Sequence, residues 1–117
     1  AVTLVVLVKS PPGFAIHELK PGAGRMAKSG DTASVQYTGT LPDGTVFDTN
    51  VGKSPFEFKL GDGHVIPGFE RGVLGMKVGG KRRVTIPPDL AYGKRGVPPK
   101  IPPGSILVFD IELLAIR

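Results

Sequence analysis

Apolar and polar residues alternate in short runs along this chain, and a period of two restricts it to folds built from half-buried strands. Ala33, Val35 and Tyr37 fall on one side of a run whose other side is Ser34, Gln36 and Thr38. Phe56, Phe58 and Leu60 alternate with Glu57 and Lys59, and Val84 and Ile86 with Arg83 and Thr85. The last run points Leu107, Phe109, Ile111 and Leu113 one way. Successive strand side chains face opposite sides of a sheet, so such runs describe an antiparallel sheet with one dry face and one wet face. Leu41-Pro42-Asp43-Gly44 offers proline for the start of a tight turn and Asp-Gly for its positive-φ end, with Thr45, Val46 and Phe47 returning: a hairpin.

One segment has helical spacing. After Ile66, the apolar residues Phe69, Val73 and Met76 recur, with Pro67 suited to a first turn and Gly79-Gly80 to a stop. Gly68, Gly72 and Gly75 each cost roughly 1 kcal/mol against alanine inside a helix, so packing must hold this helix together. A sheet curved around one helix buries the apolar side of both, which makes the expected architecture α+β. The aromatic residues lie on or beside these elements, and Phe14 and Phe58 are expected in the core.

With 117 residues the chain fits one domain. Gly 17 and Pro 12 together approach a quarter of it, but 40% is hydrophobic and neither residue repeats with a period, so they read as turns. The first ten residues, AVTLVVLVKS, precede the breaker Pro11-Pro12-Gly13 and read as an extra strand. The expected division is therefore an N-terminal extension over 1–12 and a folded domain over 13–117. Ala1 carries neither a start methionine nor a signal-peptide pattern, which is compatible with a processed chain or a piece of a longer one. Deletion of residues 1–10 is expected to spare the function of the domain while lowering stability or changing oligomeric state.

Composition narrows the chemistry. Without cysteine there is no disulfide framework and no thiol ligand or nucleophile. His17 and His64 are too few and too far apart for the usual zinc or triad arrangements; His17 reads as a strand-face residue and His64 as a solvent-exposed turn residue. Gly75–Lys81, GMKVGGK, fits the first seven positions of a phosphate-binding loop, but Arg82 stands where a magnesium-holding Ser or Thr belongs, and the helix precedes it instead of following. The spacing of Asp48 and Glu57 fixes no separation suited to paired-carboxylate chemistry. No apolar run approaches the ~18 residues of a membrane helix, so no membrane partner is expected. The net charge of +5 admits an acidic partner such as nucleic acid, although the basic residues are scattered and Lys81-Arg82-Arg83 is their only triple. The expected compartment is the cytoplasm, with the nucleus as the alternative.

Seven motifs, VQYTG (Val35–Gly39), DGTVFD (Asp43–Asp48), PFEFKLG (Pro55–Gly61), VIPGFERGV (Val65–Val73), LAYG (Leu90–Gly93), IPP (Ile101–Pro103) and LVFDIELL (Leu107–Leu114), together closely resemble the FKBP family of peptidyl-prolyl isomerases, in family order from about Gly13 to Arg117. The resemblance implies an antiparallel sheet of about five strands wrapped around one short helix, with a hydrophobic cleft between them and no cofactor or metal. By motif, it implies catalytic roles for Tyr92, Asp48, Phe47, Ile66 and Phe109, and ligand contacts from Tyr37, Phe56, Val65, Phe69 and Ile101. Phe69 is the implied floor, where the family often has tryptophan. In the best-studied members an arginine follows the Phe-Asp motif and pairs with the aspartate; here the segment is TNVGKSP, with Lys53 as the nearby cation. The implied partners are proline-containing peptides or proteins and the macrolides rapamycin and tacrolimus. The alternative is a proline-directed binding or chaperone module with little turnover.

Half of the twelve prolines fall in Ile86–Pro103, around Tyr92-Gly93. They are expected to stiffen an otherwise irregular loop, which carries Lys94, Arg95, Val97 and Lys100, and to hold Tyr92 at the cleft mouth.

Overall fold

The computed structural model describes residues 13–117. The strand expected within 1–12 lies outside the described residues. The elements run β1 (Ala15–Lys20), β2 (Thr32–Thr40), β3 (Val46–Thr49), β4 (Phe56–Lys59), α1 (Pro67–Val73), β5 (Lys81–Ile86), a 3-10 turn (Pro88–Leu90) and β6 (Leu107–Ile116). One antiparallel sheet runs in the order β1-β5-β6-β2-β3, and β4 also pairs with β2. The middle strand is β6, between β5 and β2, and two short strands share the other edge of β2. On that shared edge β3 pairs at Thr38–Thr40 and β4 at Thr32–Val35.

The expected sheet and helix are present. The strand beyond the five that alternation marked is β1, whose residues are exposed apart from half-buried Ala15. Among the described residues it is an edge strand paired only with β5, so most of its side chains are left unpacked there and its sequence carries little alternation. The hairpin turns at Gly44, with φ 91°, and is closed by Leu41 N–H donating to Thr45 O at 2.9 Å. The Asp43 carboxylate accepts from Thr45 N–H at 2.9 Å, which holds its pKa below the usual value.

The helix is shorter than its apolar spacing predicts. It ends at Val73, and Gly75 turns the chain with φ 82°. Met76 still reaches full burial, on an extended segment tied to Ala27 by Gly75 N–H to Ala27 O and Ala27 N–H to Met76 O. Gly68 and Gly72 explain why poor helix formers sit in this helix. A Cβ on Gly72 would lie 2.7 Å from Val84 Cγ2, and one on Gly68 would collide with Ile86. Their absence lets α1 lie directly on β5, and the burial replaces what propensity withholds.

Arg82 fixes the other end of α1. It donates to the carbonyls of Gly72, Leu74 and Gly75 at 3.2, 2.9 and 3.3 Å, and its Nε donates to Glu18 of β1 at 2.7 Å. One guanidinium thus satisfies helix-terminal carbonyls and ties β1 to the helix.

The core lies between α1 and the inner sheet face. Val35, Val73, Met76, Val84, Ile86, Leu107, Ile111 and Leu113 are at most 1% exposed. Phe58 joins them, while Phe14 is only half-buried and packs on the core's margin. The proline-rich loop is more regular than expected: Val97 and Ile101 exchange two backbone hydrogen bonds, and Gly104 N–H donates to Gly93 O at 3.0 Å. Ile101, 5% exposed, anchors this loop in the core.

Candidate active site

Between the sheet and the start of α1 lies a cleft of about 190 Å³. Strands supply Tyr37 from β2, Phe47 and Asp48 from β3, Phe56 from β4 and Phe109 from β6. His64, Val65 and Ile66 come from the approach to α1, Phe69 from its first turn, and Tyr92 from the loop after the 3-10 turn. The residues implied by motif therefore converge, with two differences. Ile101 supports the loop from within the core and is not part of the lining. His64, exposed as expected, stands on the rim, and its place immediately before Val65 was the available signal.

Aromatic edges build the floor. Phe69 and Phe109 are 4% and 5% exposed, with ring centres 5.2 Å apart and planes at 85°. Around Phe69 stand Tyr37 at 5.5 Å and Phe58 at 5.6 Å, and Phe47 meets Phe109 at 5.5 Å, planes at 89°. Edge-to-face pairs set positive ring edges on negative faces, so the rings hold one another in place. Gly39 makes room for this wall, since a Cβ there would lie 2.6 Å from Phe47 and 2.8 Å from Phe109.

Few polar groups enter this apolar space. The Tyr37 hydroxyl donates to Asp48 Oδ2 at 2.8 Å. The aspartate, which lacks the arginine implied by resemblance, thus has a neutral phenol as partner; Lys53 is exposed and in no ion pair among the described residues. Burial, the Asp48 hydrogen bond, the Asp48 charge and Tyr92 together push the Tyr37 phenol up from 10.0 to about 12, so it remains a donor at neutral pH. The Tyr92 hydroxyl and the Ile66 N–H have no hydrogen-bond partner among the described residues. Both are free donors beside the cleft.

A larger hollow, about 280 Å³, lies where Leu19, Gln36, Thr38, Val51, Lys81, Asp110 and Glu112 meet. It shares Tyr37 with the cleft but lacks the aromatic wall, and Asp110 is engaged by Arg83 through two bonds, 2.8 and 3.1 Å. Chemistry, not volume, singles out the smaller cavity. The basic triple is also largely committed, Arg82 to Glu18 and the helix end and Arg83 to Asp110, which leaves less free charge for a nucleic-acid face.

Comparison with known proteins agrees with the cleft. Residues 23–114 match the family model for FKBP-type peptidyl-prolyl cis-trans isomerase. The chain is 49% identical over 111 residues to FK506-binding protein 4 of Rhizopus delemar, covering 95% of this chain and 29% of that protein. It is 58% identical over 91 residues to FK506-binding protein 2 of Yarrowia lipolytica, covering 77% and 63%. The crystal structure of AtFKBP13 superposes with a TM-score of 0.84 at 38% identity, covering 92% of this chain and 96% of that one. The chain belongs to the FKBP-type peptidyl-prolyl cis-trans isomerase family. It spans less than a third of the first of these relatives.

Proposed function

We propose that this domain accelerates cis–trans rotation about X-Pro peptide bonds in the cleft floored by Phe69 and Phe109. The observation that carries the reading is the aromatic enclosure with only a few aimed polar groups, in a chain of the isomerase family.

Rotation about the peptide C–N bond faces a barrier of about 18–20 kcal/mol because resonance gives it double-bond character. No nucleophile is needed to lower it. The planar amide is charge-separated and loses hydration on entering the cleft; the twisted amide has given up that charge separation and loses less. An apolar enclosure therefore favours the twisted state differentially. Phe47, Phe69, Phe109, Val65 and Ile66 supply the enclosure. The free Tyr92 hydroxyl and Ile66 N–H donate to substrate carbonyls on either side of the reacting bond, and Asp48, fixed by Tyr37, orients the twisted amide.

The names of the relatives support a macrolide-binding cleft as well, and rapamycin and tacrolimus are the proposed competitors. Phe69 in the floor offers no indole donor, so affinity for them rests on shape and on the rim donors. The proposed natural partners are proteins presenting proline after an apolar residue.

Exchange NMR or a protease-coupled assay on a short peptide with an apolar residue before proline tests the reading. Catalysed exchange that rapamycin suppresses is expected. A rate equal to the uncatalysed one, with saturable peptide binding, would establish a binding module instead.

A further inference from the structure

Among the described residues, the only buried polar residue is Asn50, 8% exposed and absent from the cleft lining. It stands where the two short strands on the edge of β2 fail to meet. β3 pairing reaches Thr38 and β4 pairing begins at Val35, which leaves Gln36 and Tyr37 without a neighbouring strand on that side among the described residues. An unpaired strand edge at this point would leave peptide groups unsatisfied beneath the cleft wall.

The Asn50 side chain takes the place of a peptide group. Its Oδ1 accepts from Tyr37 N–H at 2.7 Å and its Nδ2 donates to Val35 O at 3.0 Å, while the Asn50 backbone N–H donates to Tyr37 O at 3.2 Å. A further bond from Nδ2 to Ser54 O, at 3.5 Å, reaches the far side of the loop. Thr49 adds a grip, its Oγ1 donating to Tyr37 O at 3.1 Å and lying 3.0 Å from Thr38 Oγ1. Asp48, Thr49 and Asn50 are consecutive, so one tripeptide holds Tyr37 by its phenol and by both of its peptide groups.

We propose that Asn50 is a positioning residue of the cleft: its primary amide, assisted by the Thr49 hydroxyl, fixes the backbone of Tyr37 so that the phenol is presented to Asp48 and the aspartate to the reacting amide. Neither Asn50 nor Thr49 reaches the substrate, and both act through the Tyr37–Asp48 pair. The consequence for activity rests on the isomerase reading of the cleft; the consequence for Tyr37 does not.

That independence defines the experiment. Tyr37 and Tyr92 are the only tyrosines and there is no tryptophan, so in a Tyr92→Phe background tyrosinate absorbance reports Tyr37 alone. Asp48 and Tyr92 are the groups whose charge acts on its titration, and the background removes one of them. Asn50→Ala in that background should ionise Tyr37 at a lower pH than its parent does, with the far-ultraviolet circular dichroism unchanged. In the otherwise native chain it should lower kcat/KM by roughly ten- to a hundredfold, the scale of a misplaced catalytic geometry. If Asn50→Ala does not fold, the near-isosteric Thr49→Val decides, with a smaller change expected in both readouts in the same direction. A folded variant that only melts earlier, with Tyr37 titration and kcat/KM unchanged, overturns the assignment and reduces Asn50 to a structural plug. So does a loss of activity without any change in Tyr37 titration. Should the parent chain show no isomerase activity, the titration alone decides, and the failure then belongs to the proposed function.

Discussion

The two tyrosines of the cleft do different work because their surroundings differ. Tyr92 is 41% exposed with a free hydroxyl, whereas Tyr37 is half-buried and bonded to Asp48. Tyr92→Phe should keep the fold and weaken peptide or macrolide binding by about 0.5–1.5 kcal/mol, the net worth of one hydrogen bond, as calorimetry would read it. Unchanged affinity would remove Tyr92 from the site. Tyr37 couples instead to pH. Its folded value, about 12, lies above the unfolded 10.0, so the folded state holds its proton more tightly. The resulting stability is complete below pH 10 and is lost as pH rises through 12. Denaturant unfolding of the native chain and of Tyr37→Phe at successive alkaline pH values should show their difference narrowing across that window. A constant difference would mean that the phenol titrates alike in both states.

Among the elements, α1 shows how contacts replace propensity. Its glycines let it sit on β5, and its C-terminal carbonyls are met by a side chain from that same strand. Arg82→Met, which keeps the stem and removes the guanidinium, should destabilise the domain by about 1.5–3 kcal/mol, the range for hydrogen bonds to a charged group. Arg82→Lys should recover little of it, because a single ammonium cannot span three carbonyls and Glu18. Thermal unfolding of both variants checks this; a lysine variant as stable as the native chain would show that charge alone suffices. The loss should appear as weakened β1 attachment too, since the same guanidinium holds Glu18.

At the scale of the molecule, the floor of the cleft is also the end of the core. Phe109 pairs across the sheet with Gly39 and Val84 while its ring meets Tyr37, Phe47 and Phe69. Phe109→Ala should therefore lower stability by about 3–5 kcal/mol, the usual range for a buried phenylalanine, and reduce activity together with it. A lower urea midpoint at unchanged slope would confirm a native-state loss. A small shift would mean that the neighbouring rings collapse into the space. Fold and site cannot be separated at this position.

The strands at 32–40, 56–59, 81–86 and 107–116 were legible because each has a dry face and a wet face, and burial on one side imposes a period of two on the sequence. The hairpin was legible because Asp43-Gly44 meets a local dihedral requirement. Motif likeness marked most of the residues that line the cleft, from Tyr37 to Phe109, but it also named Ile101, which lies in the core, and did not name His64. Edge strand β1 left no alternation, having almost no dry face to impose a pattern, and of its residues only His17 was read as lying on a strand. The helix end escaped because Met76 keeps helical spacing while reaching the core along an extended segment. Asn50, Arg82 and the Tyr37–Asp48 bond were decided only in three dimensions. Each joins residues far apart in sequence or stands in for a missing strand or cap, and a hydrogen bond between distant segments leaves no periodicity along the chain.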